Sequence, residues 1–195
     1  MKISCASLTI GVLWVAGSVG FASGAAKAMV AYASQENARL TVDKLPLGLP
    51  EDLDAASAIL QAEDRRELTE ALLRLSGSPE ASVRGRIALA IGRVGLPAGY
   101  LRLLEMVRDP EPSVRALAAF GLGLLELDLE PTLSAATRTR IAQRLITLLD
   151  DPEHVVITQA LWALGIRGDP LAVSAVAMVL KDASRPPWVL EAALG

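Results

Sequence analysis

The sequence predicts an all-α fold, a solenoid of stacked helix pairs, from a repeated motif and the stretch that follows each copy. Ser-Pro-Glu-Ala-Ser-Val-Arg at 78–84 recurs as Asp-Pro-Glu-Pro-Ser-Val-Arg at 109–115 and, altered, as Asp-Pro-Glu-His-Val-Val-Ile at 151–157. An Ala/Leu-rich stretch that ends in glycine follows each copy. A unit that recurs every few tens of residues cannot bury its apolar face alone, so we expect the copies to stack in a row.

Composition and charge exclude several classes of function. Hydrophobic residues make up 52% of the chain and aromatic residues 4%, which suits closely packed Ala/Leu-rich helices better than a sheet. The formal net charge of −3 and a pI near 5.3 give no basic footprint, so we expect no nucleic-acid partner. The single cysteine, Cys5, would leave with an N-terminal signal, so no disulfide or thiolate metal site is predicted.

Residues 1–28 are predicted to be a cleaved export signal. Lys2 precedes an apolar run at 8–21, and small residues at 22–28 offer cleavage sites. The alternative is an uncleaved membrane anchor, because residues 3–26 carry no charge. We expect a periplasmic or extracellular protein, with membrane contact only if this segment is retained. Residues 29–50 fit no repeat and are predicted to be a lead-in linker.

Helical periodicity starts after Pro50, so residues 51–195 are predicted to be the repeat domain. The valines of the repeated motif align the units at Val83, Val114, Val156 and Val189, with spacings of 31, 42 and 33 residues. An insertion at 125–136 explains the long spacing, because a loop between the two helices of one unit changes no stacking contact. The predicted helices are 51–62, 64–75, 80–92, 98–108, 111–126, 137–149, 153–165 and 170–181.

Asp, Pro and Gly are predicted to set the helix ends. The turn Asp accepts from free backbone N–H groups and Pro takes the first helical position. Gly92, Gly123 and Gly165 then end the first helix of each pair as C-caps. A last helix begins near Pro186 and the sequence stops inside it, without the polar cap that normally closes a solenoid. We therefore expect a domain truncated at its C-terminus.

The pattern Asp-Pro-x-x-x-Val-Arg-x-x-Ala-x-x-Ala-Leu-Gly resembles HEAT repeats, most closely the short bacterial repeats of phycobilisome lyases. The resemblance implies a right-handed α-α superhelix whose second helices line a concave binding surface. The stretches 59–66 and 118–123 also resemble exported bacterial proteins with HEAT repeats ahead of a cyclophilin-type prolyl isomerase. That second resemblance implies an alternative function, as the docking module of a longer secreted enzyme.

Two arginines are predicted to hold the repeat spacing. Arg84 and Arg115 follow the turn residue by six positions, where a planar guanidinium can bridge carbonyls and carboxylates. The resemblance implies that they pair with turn aspartates of neighbouring repeats, which gives Asp109 and Asp151 structural roles. Because Ile157 replaces the third arginine, we expect an incomplete ladder.

No catalytic, cofactor or metal site is predicted. His154 is the only histidine and lacks the additional ligands of a metal site. The glycine pairs of 92–95 and 121–123 follow no strand and precede no Gly-Lys-Ser/Thr, so they indicate helix ends or close helix contacts. Without a usable His or Cys there is no nucleophile–base pair, so we expect no enzyme.

The candidate partner-binding surface is predicted on the second helices of the pairs. Apolar neighbours in these helices would face inward and leave a polar stripe for an acidic or extended polypeptide. A solvated helix face is the alternative. Trp162 and Trp188 are predicted to fill the core between helices. The stripe consists of Arg74, Arg102, Glu105, Arg144, Thr147 and Met178.

These observations predict an exported, non-enzymatic scaffold that binds another protein and needs no cofactor. A purely structural spacer is a further alternative.

Overall fold

The structure, a computed structural model, describes residues 45–125, 135–182 and 187–194. These residues all belong to one compact unit, Arg39–Gly195. The predicted export signal and residues 29–44 of the predicted linker lie outside the described part. The helices are α1 (Leu53–Arg65), α2 (Glu70–Leu75), α3 (Ala81–Val94), α4 (Tyr100–Met106), α5 (Pro112–Leu124), α6 (Ala135–Thr147), α7 (His154–Arg167), α8 (Ala172–Lys181) and α9 (Pro187–Leu194).

The helices form two layers. The first helices of successive pairs pack in a row, α1 on α3, α3 on α5, α5 on α7 and α7 on α9. The second helices pack on the first helix of the following pair and, from α4 to α6 to α8, on one another. No strand occurs in the described ranges. The predicted all-α solenoid of stacked helix pairs is therefore confirmed.

The aligned valines of the repeat occupy equivalent core positions. Val83 is 4% exposed, and Val114, Val156 and Val189 are fully buried. Each is the third residue of the first helix of its pair. The alignment read from the sequence is thus the packing register of the solenoid.

Glycine allows the first helices to approach closely. A Cβ atom added to Gly92 of α3 would lie 2.5 Å from the Cα atom of Gly121 in α5. A Cβ atom added to Gly123 would lie 2.8 Å from the Cα atom of Ala163 in α7. Only a hydrogen atom fits at these crossings, so the two glycines are contact positions within helices.

Of the two alternatives predicted for Gly92 and Gly123, close helix contacts are confirmed and helix ends are wrong, and Gly165 does not end its helix either. Helix α3 continues to Val94 and is capped by Gly95, whose φ of 76° lies in the left-handed region. Helix α7 continues to Arg167 and is capped by Gly168 at φ 56°. Glycine adopts a left-handed backbone conformation at little energetic cost, so the C-caps fall at these two later glycines.

The first pair differs most from its predicted bounds. Helix α1 runs through the predicted break and ends at Arg65, and Arg66 takes a left-handed φ of 52°. Helix α2 begins only at Glu70, because the Thr69 hydroxyl accepts a hydrogen bond from the Leu72 N–H at 3.1 Å. A threonine cap therefore sets the start of α2.

The end of the predicted linker packs against the solenoid. Leu45 belongs to the core and is 9% exposed. Pro46 sits on α3, since a Cβ atom added to Gly85 would lie 2.7 Å from the Pro46 Cγ atom. Residues 126–134 of the predicted insertion lie outside the described part, between the end of α5 and the start of α6. Among the described helices, none is long and apolar enough to cross a membrane.

Candidate partner-binding surface

An arginine ladder fixes the frame that carries the second helices. Arg84 Nε and Nη2 donate to the two carboxylate oxygens of Asp109, at 2.7 and 2.8 Å. Arg84 Nη1 donates to the carbonyls of Ser78 and Pro79, both at 2.9 Å. One guanidinium thus holds its own turn and the turn of the next repeat.

Arg115 repeats this geometry one unit later. Its Nε and Nη2 atoms donate to the carboxylate oxygens of Asp151, both at 2.8 Å. Its Nη1 atom donates to the carbonyls of Asp109 and Pro110, both at 3.0 Å. The third arginine position is Ile157, which is buried in the core. Two rungs therefore lie between three successive turns.

The turn aspartates accept from backbone N–H groups, as predicted, but Pro110 and Pro152 do not take the first helical position, contrary to the prediction. Asp109 Oδ1 accepts from the Glu111 N–H at 2.9 Å, and Asp151 Oδ1 accepts from the Glu153 N–H at 2.9 Å. Glu111 and Glu153 are themselves the N-cap residues, and neither makes a side-chain cap. Each aspartate side chain bonds to the backbone N–H two residues later, and this local turn orients its carboxylate towards the arginine of the preceding repeat.

The pairing lowers the pKa of Asp109. Burial acts to raise it, but the hydrogen bond from Arg84 and the bond from the Glu111 N–H, with the charges of Arg84 and Arg115, bring it below the ordinary value. The same pairing raises the pKa of Arg84, chiefly through the hydrogen bond to Asp109. Both shifts favour the charged forms that make the rung.

The depressed pKa of Asp109 predicts an acid-sensitive contribution to stability. It is fully present above the unfolded-state pKa of about 3.9 and is lost as pH falls through the lower folded-state pKa. We expect the difference in free energy of unfolding between wild type and Asp109→Asn to be largest near neutral pH and to shrink towards zero in strong acid. Urea unfolding of both proteins across that pH range measures it. A difference that does not change with pH would contradict the prediction.

A second buried ion pair was not predicted from the sequence. Arg86 of α3 is 3% exposed, and its Nη1 and Nη2 atoms donate to the two carboxylate oxygens of Glu63 in α1 at 2.8 and 3.0 Å. Arg93 lies 3.6 Å from the same carboxylate. The repeat motif gave no indication of this pair, because the position of Arg86 carries Leu117 in the next repeat. The pair ties the first unit to the second.

The structure ties two of the predicted binding residues to each other. Arg102 of α4 donates through Nη1 to Glu105 Oε2 at 2.5 Å and through Nε to the Ser76 hydroxyl. Ser76 caps the preceding second helix, α2. Arg102 therefore bridges two second helices, and only part of its side chain faces solvent. Glu105 is exposed.

The remaining predicted residues are placed separately. Arg74 pairs with Glu70 one turn earlier in α2, at 3.3 Å with both side chains exposed. The exposed Thr147 donates its hydroxyl to the Arg144 carbonyl at 2.7 Å, at the end of α6. Met178 of α8 is 68% exposed. The predicted inward neighbours in α4, Leu103 and Leu104, are buried.

Arg144 stands in a basic environment. It is partly buried on α6, and burial lowers its pKa, with further lowering by the nearby charges of Arg108 and Arg140. Arg140 precedes it by four residues on the same helix, and Arg108 follows the neighbouring α4. Neither Arg108 nor Arg140 was among the predicted residues.

Residues 100–195, which span α4 to α9, match the family model of HEAT repeats. The chain is a HEAT-repeat protein. No curated protein matches it. HEAT repeats commonly mediate protein–protein contacts and are mostly non-catalytic, so the coarse function of this HEAT-repeat protein is that of an interaction scaffold.

The prediction that Trp162 fills the core of the HEAT solenoid is wrong. Trp162 is 39% exposed, and its ring stacks on Phe120 of the preceding first helix, with centroids 4.2 Å apart and planes at 20°. The two residues are equivalent in the aligned repeats, so the stack joins the same position of two neighbouring first helices. The side chain of Trp188 lies outside the described part.

His154 is the first residue of α7 and is exposed. Within residues 45–125, 135–182 and 187–194, no group of three His, Cys, Asp or Glu side chains could hold a metal ion.

Proposed function

We propose that this HEAT-repeat protein is an exported, non-enzymatic scaffold that binds another protein through its second helices. The supporting observation is the row of second helices α4, α6 and α8, which carries exposed Glu105, Thr147 and Met178 on a frame fixed by the arginine ladder. A frame held by bidentate pairs loses little conformational freedom on binding, so less interaction energy is spent on ordering.

Export is the second part of the proposal, and it is based on the sequence of residues 1–28. A charged start, an apolar run and small-residue cleavage patterns are the features of a signal peptide. Retention of residues 3–26 would instead anchor the scaffold to the membrane. The mass of the N-terminal peptide of the purified protein separates the two forms. The alternative of a docking module for a longer secreted enzyme stays a prediction.

Site-specific photo-cross-linking tests the binding surface. A photoreactive phenylalanine placed at Glu105, Thr147 or Met178 is expected to cross-link one and the same protein in cell-envelope extracts. The matched controls are the exposed Leu60 of α1 and Ile166 of α7, which lie on first helices. Equal cross-linking of that protein from control and test positions would reject the second-helix surface.

A further inference from the structure

Three arginines converge beside the junction of α4 and α6. Arg140 and Arg144 lie four residues apart, on one face of α6. Arg108 follows α4 two residues after its end, and α4 and α6 pack against each other. Arg108 and Arg140 are exposed and Arg144 is half-buried. We call these three residues the arginine cluster.

The cluster carries positive charge that the described part of the chain does not neutralise. Several other arginines of the solenoid are paired with carboxylates, namely Arg74, Arg84, Arg86, Arg93, Arg102 and Arg115. Within the described ranges, none of the three cluster arginines is in an ion pair. Burial is the main cause of the lowered pKa of Arg144, and the nearby positive charges of Arg108 and Arg140 lower it further.

We propose that Arg108, Arg140 and Arg144 form the recognition site for an acidic polypeptide segment, an inference that rests on the proposed scaffold function and names its partner's chemistry. The guanidinium fork matches a carboxylate with two parallel hydrogen bonds. Four residues of helix advance by about 6 Å, so the backbone positions of Arg140 and Arg144 lie about that far apart along α6. Alternate side chains of an extended strand are spaced by about 6.6 Å, so acidic residues at every second position fit this pair.

The surroundings favour a polypeptide over a nucleic acid. The whole chain has a net charge of −3, whereas nucleic-acid binding needs an extended basic stripe. The exposed carboxylate of Glu105 lies in the last turn of α4, three residues before Arg108, and adds negative charge next to the arginine cluster. A short acidic segment can avoid Glu105, but a phosphate backbone that follows α4 would meet its charge.

Fluorescence anisotropy with the full chain tests this inference. The probe is a fluorescein-labelled peptide of alternating Glu and Ser, with an alternating Lys and Ser peptide and an oligothymidylate as comparison probes. We expect the acidic peptide to bind most tightly and its affinity to fall with added salt. Arg140→Glu should weaken binding by at least about tenfold, and Arg140→Gln by a smaller factor.

The matched control is Arg65→Glu, which makes the same charge change at an exposed position in the last turn of α1. It should change the affinity by less than about twofold. Equal weakening by Arg65→Glu and Arg140→Glu would overturn the inference, as would tighter binding of the oligothymidylate. Arg140-dependent peptide binding supports it even where photo-cross-linking captures no partner. If photo-cross-linking captures a partner but peptide binding does not depend on Arg140, the scaffold function is supported and the acidic-segment inference is rejected.

Discussion

Asp151→Ala is expected to lower the free energy of unfolding by about 3 kcal/mol, because it leaves Arg115 largely shielded from solvent without its carboxylate. The side chains of Arg115 and Asp151 are 13% and 7% exposed. The substitution also removes the acceptor of the Glu153 N–H, which closes the turn before α7. Equilibrium urea unfolding followed by circular dichroism measures the change.

A double-mutant cycle separates the pair from its surroundings. Arg115→Ala, Asp151→Ala and the double variant should show a coupling energy above about 1 kcal/mol. The matched control is Arg74→Ala, whose ion pair with Glu70 is 71% and 85% exposed at its two side chains. That variant should lose less than about 0.5 kcal/mol. Additive effects of the Arg115 and Asp151 variants would contradict the bridging role.

Gly92→Ala is expected to destabilise the protein by at least about 2 kcal/mol. Alanine normally favours a helix over glycine by about 1 kcal/mol, so the sign of this effect is opposite to that of helix propensity. The added methyl carbon would lie 2.5 Å from the Cα atom of Gly121, 3.2 Å from its carbonyl oxygen and 3.3 Å from its carbonyl carbon. These are backbone atoms, so α3 and α5 must move apart along their contact.

Gly165→Ala is the control for that substitution. Gly165 lies inside α7, and a Cβ atom there would meet nothing within 4 Å. We expect this variant to be stabilised by about 0.5–1 kcal/mol through helix propensity alone. Thermal and urea unfolding of both variants compare the two effects. If both glycines respond alike, the close crossing of α3 and α5 is not a determinant of stability.

The repeat motif predicted the fold well because it records packing that recurs. Val83, Val114 and Val156 meet the same surroundings in each unit, so one alignment places several helices at once. Helix ends were predicted less well, because two types of glycine look alike in sequence. Gly92 is required by a neighbouring helix and Gly95 by a left-handed φ, and only the packing of α5 distinguishes them.

The candidate site could be predicted only as a surface. Arg102 and Arg144 were predicted as members of one polar stripe, yet they have different surroundings. Arg102 is held by Glu105 and the Ser76 hydroxyl, whereas Arg144 lies near two further arginines. Arg108 lies past the end of α4 and Arg140 one turn before Arg144, and neither was predicted as part of the stripe. Ion pairs between repeats depend on which side chains are neighbours in the folded protein, and a repeat motif does not show this.

Each rung of the ladder links one turn to the turn that follows it, and the series stops where Ile157 takes the arginine position. Nearest-neighbour coupling along the stack is therefore unequal, because the arginine rungs join only the three motif turns. In a linear array, unfolding begins at the most weakly coupled interface. The seam between α7 and α9, where Ile157 replaces the arginine, is accordingly expected to be weaker than the two seams that a rung spans.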